Sequence, residues 1–296
     1  MSVRNLIAGL VAVGALAAAS NASADTYTLG DGGNSLVRFA NGSPGSASVV
    51  AGFSGAATAL DAIDFRPDTG ELYGYQSNSN TYYTVNTSTG ALTAVSGAVA
   101  PTNTFVLGID FNPTIDRLRT VTESGQNIVF NPNTGTTTVA TGLAYAAGDV
   151  NAGLVPSIVE NAYTNSFKGA TTTTQYAIDY RLHTLTTLAN NAGTLATIGT
   201  ITLDGVELNF DEYVGFDIAT FGGVNVGYAV LNVDGISGLY TIDLASGAAT
   251  SLGAFDSSLS SIPLYSLAVA PVPEPATLAM LGTGLAAVAF AARRRS

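Results

Sequence analysis

Two segments of this chain carry the same internal order. Residues 107–142, LGIDFNPTIDRLRTVTESGQNIVFNPNTGTTTVATG, follow the pattern of residues 61–97, DAIDFRPDTGELYGYQSNSNTYYTVNTSTGALTAVSG. Asp110 follows Asp64 by 46 residues and Gly135 follows Gly90 by 45, so the match persists through the whole unit. Each copy reads as four short extended runs. An apolar run ends in Asp-Phe-x-Pro, the next holds Leu-Tyr or Leu-Arg, the third ends in Asn-x-x-Thr-Gly, and a Thr/Val/Ala run follows. Thr-Gly is the hairpin between the last two, because glycine takes positive φ without a Cβ clash and Asn caps such a turn. A period of about 45 residues with four strands is the pattern of propeller blades.

The same ending recurs less cleanly. Residues 242–247, IDLASG, close a unit that starts at Tyr213, and residues 190–193, NNAG, close one that starts near Pro156. Residues 25–55 hold further runs but lack the apolar first one, while residues 262–270, IPLYSLAVA, form an orphan run of that missing kind. The expectation is an all-β propeller of about five four-stranded blades. Its C-terminal strand would complete the first blade and leave no open edge at the join.

Composition agrees with short strands and tight turns, with 33 glycines, one lysine and no cysteine in 296 residues. The lack of cysteine excludes a disulfide framework, a thiolate metal site and a cysteine nucleophile. Residues 25–270 carry 20 acidic against six basic side chains, a balance of about −14. Nucleic acid is excluded as a natural partner, because phosphate recognition needs clustered Lys and Arg.

Both ends of the chain have a different character. Residues 1–24 join one arginine, an apolar run and Ala22-Ser23-Ala24, the form of a Sec signal peptide cleaved between Ala24 and Asp25. The other end, residues 271–296, holds Val272-Pro273-Glu274-Pro275 (272–275), an apolar span (276–292) and Arg293, Arg294 and Arg295 (293–295). That span is 17 residues long, about 26 Å as a helix, enough to cross a bilayer with the arginines as a cytoplasmic stop.

Candidate chemistry is sparse. Asp64, Asp110 and Asp217 hold equivalent places near the ends of the first strands, which line the axis of a propeller. Three carboxylates at a channel mouth can hold Ca2+ or act as an acid/base pair on a sugar. Against this stands the plainer reading, that an Asp repeated in every unit caps a turn. Asp149 and Asn151 lie in a long Gly/Ala/Asp/Asn connection (143–154), and Asp204, Glu207, Asp211 and Glu212 precede Tyr213; both groups read as solvated loops. His183, the lone histidine, reads as an exposed sheet residue and has no partners for a zinc site. Tyr73, Tyr75, Tyr82 and Tyr83 read as core that can also offer sugars a stacking surface.

The repeats resemble a family of secreted bacterial domains of unknown function whose units read IDFRP-x-TG-x-LYG and IDFNP-x-x-DRLR, here residues 63–74 and 109–119. The resemblance implies a propeller-like fold and no assigned activity. The tail resembles the PEP-CTERM sorting signal in its motif, apolar span and basic end. It implies a Gram-negative bacterium that makes exopolysaccharide and an exosortase that recognises Pro273-Glu274-Pro275. Export by Sec, transient anchoring in the inner membrane and delivery to the cell surface or extracellular matrix would follow. The expected function is a non-catalytic structural or binding propeller. The alternatives are a glycoside hydrolase or lyase acting on exopolysaccharide through the channel carboxylates, and a cation-dependent adhesin for polysaccharide.

Overall fold

The computed structural model describes residues 24–97, 102, 104 and 106–271. The expected signal-peptide segment before Ala24, the sorting motif, the apolar span and the terminal arginines lie outside the described residues. Among those described, no helix is long and apolar enough to cross a membrane.

Among the described residues, twenty-four strands form five sheets arranged like the blades of a propeller. Three strands open the chain: β1 (Asp25–Gly30), β2 (Ser35–Ala40) and β3 (Ser48–Gly52). The second blade holds β4 (Ser54–Gly55), β5 (Ala62–Phe65), β6 (Leu72–Gln76), β7 (Thr81–Val85) and β8 (Ala91–Ala94). The third holds β9 (Leu107–Asn112), β10 (Arg117–Thr122), β11 (Asn127–Asn131) and β12 (Thr136–Val139). The fourth holds β13 (Ala144–Tyr145), β14 (Ile158–Tyr163), β15 (Gln175–Asp179), β16 (Thr184–Leu188) and β17 (Thr194–Thr200). The fifth holds β18 (Thr202–Leu203), β19 (Val206–Glu207), β20 (Val214–Phe221), β21 (Val224–Val233), β22 (Ile236–Ile242) and β23 (Ala248–Ala254). Last comes β24 (Tyr265–Val269), which pairs antiparallel with β1 and so becomes the inner strand of the first blade. The orphan run therefore takes the place that its apolar pattern required.

The expected four-stranded blade is the rule only for the first and third sheets; the others have five, five and six strands. The additions come from the connections. The two-residue strands β4, β13 and β18 each lie parallel on the outermost long strand of the next blade, β8, β17 and β23. Outer edges that would otherwise present free amides are thereby covered. The connection at 143–154 is thus partly a strand, and its remainder is pinned by Asp149, which accepts from the Thr197 amide at 2.7 Å.

Packing explains why inner strands read as near-continuous apolar runs. The strands β24, β5, β9, β14 and β20 lie each beside the next, and each sheet buries both faces between neighbours. Five apolar clusters result, one at each seam. Tyr27, Leu29 and Leu36 meet Ile63 and Leu72 between blades one and two, and Tyr75 and Tyr82 meet Ile109 and Phe130 between two and three. Tyr73, Tyr75, Tyr82 and Tyr83 are all at most 3% exposed, and Tyr82 stacks on Phe130 with ring centroids 4.0 Å apart. They are core, and no sugar can stack on them.

The glycine ending each repeat has two reasons to be there. Gly90, Gly135, Gly193 and Gly247 all have positive φ, and each abuts the backbone that leads away from the preceding blade. At Gly193 a Cβ would run into the carbonyl oxygens of Thr141 and Gly142. Gly70 has a similar φ of +74° but open space around it. Gly193→Ala is therefore expected to cost well over the ~1 kcal/mol that left-handed backbone alone imposes, and Gly70→Ala to stay near that value. Denaturant melts of the two variants check this; equal losses would mean that the seam does not use the glycine.

Candidate metal centre

Inner strands bring one level of side chains to the axis. Asp64 sits on β5, Asp110 on β9, Glu160 on β14, Asp217 on β20 and Ser266 on β24, one from every blade. Carboxylate oxygens of Asp64, Asp110 and Asp217 all lie within 4.8 Å of one another, and the three residues are 4%, 3% and 3% exposed. The convergence expected from the repeats is present, but inside the ring rather than at an open mouth.

Local turn capping, the plainer reading, is not what these side chains do. Asp64 accepts from the amide of Phe111 in the third blade at 2.7 Å, and Asp110 accepts from Tyr163 in the fourth at 3.1 Å. Asp217 accepts from Val269 on β24 at 2.7 Å, and Ser266 Oγ accepts from Ile63 on β5 at 3.0 Å. Four of the five seams are thus bridged by an inner-strand side chain holding a neighbour's backbone N–H. The fourth blade departs from the pattern. Its longer Glu160 takes a hydrogen bond from the Ser266 hydroxyl instead.

Irregular backbone makes this possible. Ser266 has a φ of +51° at the point where the pairing of β24 with β1 shifts register, and β14 is bulged between Ile158 and Glu160. Bulges re-aim a side chain without ending the sheet. Two glycines let the strands approach: Glu160 lies directly over Gly108, and a Cβ on Gly215 would stand 2.6 Å from the Ser266 carbonyl carbon.

Electrostatics follow from the crowding. Burial, then the Asp217 charge, pushes Asp64 well above the usual carboxylate range; burial, then Asp64 and Asp217, does the same to Asp110. Burial likewise raises Glu160, and it lifts Asp217 to about 6. The amide bonds oppose these shifts but do not cancel them, and among the described residues no Lys, Arg or His forms an ion pair with any of the four. A divalent cation with hard-oxygen preference suits such a donor set, and Asp64, Asp110 and Asp217 are the residues that would hold it.

Most of the remaining candidates make structural contacts. Asp204 occupies the left-handed first position of an Asp-Gly turn joining β18 to β19, and Asp211 accepts from the Tyr213 amide at 3.0 Å. His183 is not an exposed strand residue. It stands at φ +48° in the turn between β15 and β16, with Nδ1 2.8 Å from Glu207 and Nε2 3.2 Å from the Phe210 carbonyl. Asn151 donates to Thr197 at 3.0 Å, and Glu212 remains exposed. Sequence reasoning missed Glu160, which no repeat position flags, and two buried arginines. Arg66 grips Asp116 and Asn133 of the third blade, and Arg119 donates to Tyr163 and Asn191 of the fourth, both at 2.8 Å. Their signal was available as the Arg of Asp-Phe-Arg-Pro and the last Arg of Asp-Arg-Leu-Arg.

Residues 271–295 match the PEP-CTERM protein-sorting motif, so tail and fold together define an exported, exosortase-sorted propeller protein. Residues 35–267 match the domain of unknown function DUF4394, and the chain belongs to that family. No curated protein matches the chain in sequence. Among solved structures, one chain of a nidogen–laminin complex is similar with a TM-score of 0.50 at 12% identity, over 83% of this chain and 98% of that one. A protein of unknown function from Bacteroides thetaiotaomicron gives 0.49 at 14% identity, over 83% and 67% of the two chains. A glutaminyl cyclase from Myxococcus xanthus gives 0.40 at 14%, over 67% and 71%. At these identities the likeness concerns the fold alone.

The raised carboxyls fix the sign of a pH effect. A folded-state pKa above the unfolded value means that the folded protein holds more protons, so stability falls as pH rises from about 4, the unfolded carboxyl range, through the folded value. For Asp217 that window reaches about 6. In chelator, the melting temperature of the purified protein is expected to fall between about pH 4.5 and 7.5. Asp217→Asn should flatten that slope; a melting temperature that rises across the window would contradict this account of the ring.

Proposed function

We propose that this protein is a non-catalytic structural or binding propeller of the cell surface or extracellular matrix, with Ca2+ held on the axis by Asp64, Asp110 and Asp217. The observation that carries the reading is the meeting of three buried carboxylates from three different blades, none of them in an ion pair with a cationic side chain among the described residues. A cation there would tie three inner strands together and offset the burial that raises all three pKa values, together with the repulsion added at Asp64 and Asp110. The pairing of β24 with β1 supports a ring completed by the C-terminal strand. Ca2+ is favoured over Mg2+ because an adaptable set of carboxylate oxygens suits its variable coordination. Burial below 5% also favours a structural over a catalytic role, since a glycan could not reach carboxylates so covered. The PEP-CTERM motif supports an exosortase as the processing partner and passage through the inner membrane.

Ca2+ is expected to raise the melting temperature of the purified protein at pH 7.5, and Asp64→Asn or Asp110→Asn to abolish that rise while leaving a folded protein. No Ca2+ effect on the unaltered protein would remove the cation from this proposal. Incubation with exopolysaccharide then sorts the roles. Retention without cleavage indicates a binding module, whereas new reducing ends abolished by Asp110→Asn would establish an enzyme.

Processing is tested separately. The mature protein is expected to run from Asp25 to near Pro273, so intact mass spectrometry of protein from native cells should find neither Met1 nor Arg295. A species in the membrane fraction that keeps Arg293, Arg294 and Arg295, with no shortened form outside, would make it a permanent single-span protein.

A further inference from the structure

A cavity of about 250 Å3 opens where the inner strands begin, on the same axis as the carboxylate ring but on its upstream side. All five blades line it. Tyr265 comes from the first, Asp61 from the second, Leu107 from the third, Val159 from the fourth, and Glu212 and Tyr213 from the fifth. Leu107 and Asp61 lie three residues before Asp110 and Asp64, so on those two strands the cavity wall is roughly 10 Å from the carboxylates, while Val159 and Tyr265 directly precede Glu160 and Ser266.

The lining has a consistent chemistry. Valine, leucine and isoleucine side chains share its walls with Asn78, two tyrosine rings meet edge to face with centroids 5.9 Å apart, and its ionisable groups other than tyrosine are the carboxylates of Asp61 and Glu212. Among the described residues, no Lys, Arg or His lines it. Tyr265 is anchored by its hydroxyl, which donates to the Leu60 carbonyl at 3.3 Å, so its ring is held in place. Asp61 is held too, accepting from the Ser77 amide at 2.6 Å. Glu212 is exposed where it lines the opening. Pre-set aromatic faces and a carboxylate beside apolar walls favour an ammonium group attached to a compact hydrocarbon body.

We propose that this axial cavity binds a small organic cation, a protonated amine on an apolar skeleton, with Tyr213 and Tyr265 against the skeleton and Glu212 and Asp61 on the ammonium. Neutral isosteres lose the charge contacts, and anions meet two carboxylates in a body already about 14 charges negative. The site does not depend on whether the ring below holds Ca2+.

Phenethylamine, 2-phenylethanol and phenylacetate share a ring and a chain length and differ in charge, so they are the probes. Isothermal titration of the purified protein, once in chelator and once in Ca2+, is expected to give binding of phenethylamine about tenfold or more tighter than 2-phenylethanol, and none of phenylacetate. Glu212→Gln and Tyr213→Leu should each weaken phenethylamine about fivefold or more. Melting temperatures within a degree or two of the unaltered protein would show that both variants fold, because Glu212 is exposed and Tyr213 half-buried. Equal affinity for the amine and the alcohol, no binding of the amine, or amine binding indifferent to both substitutions would each overturn the proposal. Displacement of the amine by Ca2+ would overturn its separation from the ring.

Discussion

One constraint governs this molecule: five inner strands converge on an axis so closely that their side chains at one level must share a space. Nothing large fits there. Gly108 and Gly215 show how tight the approach is, because a Cβ at either would collide with the neighbouring strand. Short polar side chains resolve the crowding by taking a neighbour's amide as partner. Asp64, Asp110, Asp217 and Ser266 each hold a backbone N–H of the next blade, so the polar layer that fills the axis also joins the blades.

That solution has an electrostatic consequence. Four buried acids within one layer repel one another, and the amides offset only part of the cost of desolvation. Protons or a cation must supply the rest. Further from the axis the same seams use other means, with apolar clusters at every seam and buried arginines at two of them. Arg66 and Arg119 each face hydroxyl, side-chain amide or carboxylate oxygens of the next blade, which is the arrangement in which a planar guanidinium with five donors is most useful. Polar contacts therefore run from the axis outward along the seams, while the hydrophobic effect supplies the bulk of the cohesion between blades.

Much of this was legible. The 45-residue period gave the blades, and the orphan run at 262–270 gave the strand that β1 lacks. Asp64, Asp110 and Asp217 were legible as equivalent positions, although their partners were not, because the amides they hold lie 47, 53 and 52 residues away. Tyr82 and Tyr83 could equally have been platform or core, since alternation along a strand assigns faces but does not say whether the outward face is covered. His183 looked like a strand residue because a left-handed turn of one residue leaves no mark on a short sequence window.

What the sequence by itself determined is modular: repeat period, strand content, turn glycines, acidic balance, and the sorting motif at the tail. Each of these is read within one unit or one short segment. What only the tertiary structure decided concerns relations between units. It put Glu160 into the ring despite having no counterpart in the other repeats, and turned the aspartates from turn caps into clasps. It also opened a five-sided cavity above them. The physical reason is that neighbouring blades are packed face to face, so the partner of a residue lies one period away in the chain and a few ångströms away in space.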